Sequence, residues 1–361
     1  MANVSTPYLL INAARVERNI HRLATYSESH GLRVRPHTKT HKSLDFARQQ
    51  LSSYGAGLTV AKPSEAEVMT AVADDLLVAY PLSDPAKISR LLESVGRGRL
   101  MLPVDSLQSV EALGAAAESA GKSVGILVDL DVGFGRTGVQ SARASLDLAR
   151  VVVATRGLQL RGIFCYPGHV WAMPAEQGKP LHDVSVRLRE AIDVWRKDGL
   201  EAPVVSGGST PTAYQSHLIP ELTEIRPGTY VFNDMNTAAG GFCELEDCAA
   251  TLECTVVSNA VPGKVIIDAG TKALTADRNV TKPDSGYGFV VEYPTARITR
   301  LSEEHGEVDI SNCDHAPRIG DRVHVIPNHI CPCVNLQNHF YIDYGGGQVE
   351  RLSVHARGML A

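Results

Sequence analysis

The stretch LRVRPHTKTHKS, residues 32–43, opens on an apolar alternation and ends with two histidines and two lysines within six positions. An extended segment that runs straight into titratable chemistry suits the first strand of a (β/α)8 barrel, because such barrels carry their sites at the C-terminal ends of the strands. Alternate residues of a strand share a face, so Arg35, His37 and Lys39 are expected on one side and Val34, Pro36 and Thr38 on the other. Lys39 then stands at the barrel mouth, where crowding by cations and partial burial favour a free, nucleophilic amine. Lys42, beyond the strand end, and Lys62, after the second strand, are rivals for that role. A basic rim that is solvated or ion-paired is the alternative reading.

Outward from this stretch, apolar runs of strand length recur as GLTVA (57–61), LLVAY (76–80), RLMLPV (99–104), SVGILVDL (123–130), LRGIFCY (160–166), PVVSGG (203–208) and IRPGTYVF (225–232). Amphipathic helical patterns fill most of the gaps. SEAE, residues 64–67, reads as a capping box, and Asp105 and Ser106 as the start of another helix. Eight strands alternating with helices over 15–245 predict an α/β fold, a (β/α)8 TIM-type barrel. No GxGxxG follows the first strand, which disfavours an open doubly wound sheet. Beyond about residue 245 the helical period disappears. Short runs such as TLECTVVSNAVPGKVIIDAG and DRVHVIPNHICPCVNL, divided by Gly, Pro and Asp, predict a β-rich C-terminal domain over 246–361. Residues 1–14, through TPYLLIN, are expected to add a strand to it.

The 361 residues carry a formal net charge of −5, with 44% hydrophobic and 21% charged residues, the balance of a globular protein with a sizeable core. No basic footprint for nucleic acid is present, and no apolar run nears the ~18 residues of a membrane span. The N-terminus does not read as a signal peptide. Seven cysteines, an odd and scattered number, fit a reducing cytoplasm with thiols free for metal.

A lysine that forms a Schiff base implies pyridoxal 5′-phosphate (PLP), which needs a phosphate cradle. VSGGST, residues 205–210, supplies one at the end of the seventh strand, where barrels commonly hold phosphates. Its glycines Gly207 and Gly208 admit backbone N–H groups, and Ser206, Ser209 and Thr210 offer hydroxyls. A plain Gly/Ser turn is the alternative. DLDVGFGRTG, residues 129–138, places Arg136 among three glycines after the fifth strand, free to meet the cofactor's phenolic oxygen or a substrate carboxylate. The sixth strand ends in YPGHVW, bringing Tyr166, the acid/base candidate His169 and Trp171 to one place. The expected cofactor contacts are Lys39, His37, Arg136, Tyr166, Ser206, Gly207, Gly208, Ser209, Thr210 and Tyr230. In PNHICPC, residues 327–333, His329 and Cys331 are two apart on an expected strand, point one way and can chelate a soft divalent ion. Cys333 shares their parity as a conceivable third ligand.

Together these segments resemble the fold-type III PLP enzymes, an alanine racemase-like fold, and within them the D-threonine aldolase and eukaryotic-type D-serine dehydratase family. RPHTKTHK is similar to the Schiff-base motif, DVGFGRTG to the arginine segment, SGGSTPT to the phosphate loop, and LSEEHG (301–306) with PNHICPCVNL to signatures of the C-terminal domain. The resemblance implies a homodimer with PLP on Lys39 and a divalent metal on His329 and Cys331. His-x-Cys, rather than His-x-Asp, leans toward a dehydratase and zinc, with manganese or cobalt as the other metals. Cys333 is not part of the pattern. The implied reaction is β-elimination from a D-3-hydroxy amino acid, such as D-serine or D-threo-3-hydroxyaspartate, to a 2-oxo acid and ammonia. The alternatives are retro-aldol cleavage to glycine and an aldehyde, with His169 as base, and racemisation.

Overall fold

The computed structural model describes residues 4–96 and 98–361. The chain divides into two compact units. One comprises His21–Lys39, Leu44–Gly228 and Met359–Ala361. The other comprises the chain up to Ile20, Thr40–Ser43 and Thr229–Gly358.

The first unit is built on eight parallel strands: Arg33–Val34, Leu58–Val60, Asp75–Val78, Arg99–Val104, Val124–Asp129, Leu158–Phe164, Val204–Gly207 and Glu224–Ile225. They follow the eight runs read from the sequence, in the same order. The sheet runs from the first strand through the eighth and back down to the second. A parallel bridge from His37 to Thr59 closes it, with the Thr59 N–H donating to the Pro36 carbonyl at 2.9 Å. Leu77, Met101, Leu127, Phe164 and Val204 pack into one buried cluster that plugs the barrel. Near-continuous apolar strands follow from this burial on both faces.

The helices begin with chemistry the sequence partly showed. Ser106 caps the helix Leu107–Ser119, its hydroxyl accepting from the Ser109 N–H at 3.3 Å. The SEAE segment behaves differently. Its helix, Pro63–Met69, starts at Lys62 with a proline in the first turn and no side-chain cap. Ser64 instead donates its hydroxyl to the Ala361 carbonyl at 2.8 Å.

The second unit is a nine-stranded, mostly antiparallel sheet. Tyr8–Asn12 lies between Ala250–Ser258, antiparallel to it, and His339–Gly345, parallel to it. Alternate residues fill its core, among them Leu9, Ile11, Leu252, Val256, Val325 and Phe340. Residues 229–245, which the sequence reading places with the barrel, fall in this unit. Backbone bonds explain that position: Met235 and Asn236 donate to the Pro327 and Asn328 carbonyls, both at 3.1 Å. Among the described residues no helix is long and apolar enough to cross a membrane.

Candidate active site

In the barrel unit, the chain after the first strand tightens into a 3-10 turn, Thr38–Thr40, that carries Lys39. Strand parity therefore stops short of Lys39. Arg35 and Lys39, expected on one face, have separate surroundings. The Lys39 side chain is half-buried, and its amine has no hydrogen-bond or ion-pair partner among the described residues. Its backbone N–H reaches the His37 Nδ1 at 3.4 Å. The rivals are both occupied. In the β-rich unit the Lys42 amine is buried and donates to the Ala356 carbonyl at 3.3 Å. In the barrel unit the Lys62 amine sits 3.6 Å from the centroid of the Tyr80 ring. Lys39 is the one of the three that keeps an uncommitted nitrogen.

At the end of the fifth strand, the Asp131 carboxylate gathers the N–H groups of Gly133, Phe134 and Gly135 at 2.9–3.1 Å. Burial alone would raise its pKa, yet these donors hold it below the ordinary carboxylate range. The loop so fixed presents Arg136, exposed, 4.8 Å from the centroid of the Tyr166 ring and 5.0 Å from that of Phe134. His169 packs against the same loop: a Cβ on Gly133, whose φ is +120°, would lie 3.1 Å from the His169 Nε2. The Trp171 indole donates to the Gly168 carbonyl at 3.1 Å. The structure thus brings Arg136, Tyr166 and His169 to one patch.

The segment after the seventh strand is a cradle that only glycine fits. A Cβ on Gly207 would meet Leu222 and the Cys165 sulfur at 2.7 and 2.8 Å, and Gly208 adopts φ +78°. The Ser209 N–H is taken by the Thr212 hydroxyl at 3.1 Å, and Thr210 follows at the turn. Ser206 plays another part. It is fully buried, donating to Glu224 at 2.7 Å and accepting from Arg226 at 2.6 Å. Its hydroxyl serves the barrel interior rather than offering itself to a phosphate. Arg226 also bonds the Cys165 carbonyl at 2.7 Å and lies 3.8 Å over Phe164. A half-buried amine without a partner can take an aldehyde cofactor, and a turn without side chains at Gly207 and Gly208 leaves its backbone N–H groups accessible to a phosphate.

In the β-rich unit, the expected strand at PNHICPC is a helix. His329 is its N-cap, and Ile330–Leu336 form the helix itself. Its N-terminus is held by Asp234, whose carboxylate accepts from the Ile330 N–H at 3.0 Å. His329 and Cys331 remain neighbours across this cap. The Cys331 sulfur lies 3.2 Å from the Thr40 hydroxyl and 3.7 Å from that of Thr229. His329 Nδ1 is 3.3 Å from an Asp277 oxygen. Burial disfavours the charged ring, but the Cys331 sulfur, Asp234 and Asp277 outweigh it and raise the His329 pKa to about 9. Each residue of a helix turns by about 100°, so Cys333 cannot share the direction of Cys331. It is fully buried, donates to the Ala273 carbonyl at 3.1 Å, and burial pushes its pKa up to about 12. Cys333 packs in the core and is not a ligand. Tyr230 also falls in this unit, buried in the turn Thr229–Val231.

Among the described residues, no group of three or more His, Cys, Asp or Glu is placed to hold a metal. One imidazole and one thiol form a two-donor pair, which fits an open site that leaves positions for water or substrate. Thr40, Thr229, Asp234 and Asp277 were not singled out from the sequence. They reach the pair from up to 291 positions away, and no local pattern marks them.

Comparison with known proteins places this arrangement. The alanine racemase N-terminal domain model matches residues 11–235, and the putative serine dehydratase domain model matches 249–342. The chain is 32% identical over 370 residues to 3-hydroxy-D-aspartate aldolase of Paracoccus denitrificans (strain Pd 1222), covering 99% of this chain and 93% of that protein. It is 32% identical over 352 residues to D-threo-3-hydroxyaspartate dehydratase of Delftia sp. (strain HT23), covering 92% of each. A variant D-threo-3-hydroxyaspartate dehydratase, solved in a metal-free form, superposes with a TM-score of 0.90 at 29% identity over 97% of each chain. With its barrel, its free lysine and its C-terminal histidine–cysteine pair, the chain belongs to the fold-type III PLP enzymes, in the group of D-hydroxy amino acid aldolases and dehydratases.

Proposed function

We propose that this protein is a PLP- and divalent metal-dependent lyase that eliminates water from a D-3-hydroxy amino acid, giving a 2-oxo acid and ammonia. The observation that carries the reading is the donor pair of His329 and Cys331, one imidazole and one thiol at a helix cap. Its softness favours zinc, and the substrate class follows the relatives that act on 3-hydroxyaspartate. When bound, PLP would draw electrons from the substrate α-carbon and the metal would act as a Lewis acid on the β-hydroxyl.

The chain's residues then have defined tasks. The Lys39 Nζ takes the α-proton, as a positioned amine without a competing partner can. The turn at Gly207 and Gly208 binds the phosphate through backbone N–H groups. Arg136, steadied over the Tyr166 and Phe134 rings, holds an anionic oxygen. His329 and Cys331 supply the metal's protein donors.

A second reading is retro-aldol cleavage to glycine and an aldehyde. It is favoured by the exposed His169 beside Gly133, whose Nε2 is open to take the β-hydroxyl proton. One assay divides the two. Metal-loaded holoenzyme is incubated with D-serine, D-threonine and the 3-hydroxy-D-aspartates, and keto acid, ammonia, glycine and aldehyde are measured in parallel. Keto acid with equimolar ammonia supports elimination. Glycine with equimolar aldehyde replaces that reading with the aldolase. Turnover that persists undiminished after removal of the metal overturns both.

A further inference from the structure

The strand N-termini of the barrel enclose a cavity of about 790 Å3, at the opposite end of the barrel from Lys39. Its inner wall includes Met101 and Val204, members of the buried plug, so packed side chains close it off from the other mouth. That volume lies in the range of small-molecule sites.

The lining is unusually basic for a chain of net charge −5. Arg33, Arg35, Arg99, Lys122 and Arg161 all border the cavity. Two carboxylates answer them. Asp75 is shared by Arg35 at 2.6 Å and Arg99 at 2.9 Å. Glu224 is taken by Arg35 at 3.1 Å, with Arg33 at 3.9 Å. Lys122 caps the Leu92 carbonyl near the end of the helix Pro85–Val95, where the helix dipole accounts for it. Two more helices, Leu44–Tyr54 and Leu107–Ser119, also end at this face and offset part of the remaining charge. Arg161 has no carboxylate, carbonyl or ring partner among the described residues.

Two glycines make room for this arrangement. Gly57, at φ +88°, would place a Cβ 2.4 Å from the Arg35 guanidinium. Gly125 would place one 2.9 Å from the Arg161 Cγ, so the stem of that arginine lies on the barrel rim instead of extending clear of it. Arg35, 4% exposed, forms the buried base, while Arg33 and Arg99 are largely exposed at the rim.

We propose that this cavity binds a small multivalent anion, a phosphate ester or a di- or tricarboxylate, with Arg161 and Arg33 as its principal contacts. A planar guanidinium without a carboxylate at a preformed pocket is suited to such a group by bidentate hydrogen bonding. The proposal stands apart from the lyase reading, since it uses none of the residues assigned there.

The test is calorimetric titration of PLP-saturated, metal-loaded protein at fixed ionic strength. Inorganic phosphate is the probe in one arm and malonate in the other. Saturable binding is expected in at least one arm, and the arm identifies the anion class. Arg161→Ser should weaken it by about tenfold or more. Arg33→Ser, at a second exposed position, should weaken it in the same direction. Lys179→Ser, at the start of the helix Gly178–Lys197, should leave it unchanged. Absence of saturable binding in both arms overturns the proposal, as does binding that Arg161→Ser and Arg33→Ser leave intact. Lyase turnover measured on the same samples reads the other proposal separately.

Discussion

Arg35 and Lys39 stand four residues apart at the first barrel strand, and their surroundings are opposite. The Arg35 guanidinium is 4% exposed and bound to Glu224 through its Nε and to Asp75 through its Nη1. The Lys39 amine is half-buried and bonds to nothing among the described residues. The β-rich unit repeats the contrast with sulfur. Cys333 is sealed in the core on the Ala273 carbonyl, whereas Cys331 is half-buried beside two hydroxyls. Where a polar group's bonding capacity is spent on the protein, its role is architectural. Where a group stays half-buried near the surface, as the Lys39 amine and the Cys331 sulfur do, it is within reach of a ligand.

The contrast can be broken at four points. Lys39→Ala should lower turnover by about 10³-fold or more while leaving the denaturation midpoint near wild type, because a general base is lost and no protein contact is. Arg35→Met should do the reverse. It leaves the fully buried Glu224 without its bound arginine and removes one of the two partners of Asp75, and urea denaturation should show a loss of about 3–5 kcal/mol.

Asp129 sharpens the comparison because it is a buried carboxylate without an arginine bound to it. Burial, partly offset by the Thr137 hydroxyl, raises its pKa to about 6. An acid whose pKa is higher in the folded state adds stability below its unfolded pKa and loses that contribution as pH rises through the folded value. The unliganded protein should therefore lose up to about 3 kcal/mol between pH ~4 and ~6 on this account. Asp129→Asn should flatten that part of the pH profile. The smallest effect is at Cys333. Cys333→Ala should cost about 1 kcal/mol through its lost hydrogen bond and leave metal content unchanged, whereas Cys331→Ala should abolish stoichiometric metal.

The barrel was legible because its signal is local. Each strand is an apolar run bounded by turn residues, and the eight observed strands follow the eight runs read. Lys39 stands out in the sequence because it ends such a run, and its amine has no partner among the described residues. What escaped has two physical origins. Arg35 was placed with Lys39 by strand parity, but a 3-10 turn at Thr38–Thr40 ends the alternation, and its carboxylates lie 40 and 189 positions away. PNHICPC reads as a strand because His329, Cys331 and Cys333 alternate at a spacing of two. Proline in the first turn of a helix forfeits no bond, and here Pro332 is the third residue of one. The cap that starts this helix, Asp234, is 96 positions distant, so no local pattern announces it. Ser206 was misread for a similar reason, since Arg226 and Glu224 claim its hydroxyl from the neighbouring strand.

The central claim is that the Lys39 nitrogen is the one that carries the cofactor aldehyde. Borohydride reduction of purified, PLP-loaded protein, followed by peptide mapping, tests it directly. The account predicts one phosphopyridoxyl group per chain, on the peptide containing Lys39. A modified Lys42 or Lys62, or a chain that takes up no phosphopyridoxyl group, contradicts it.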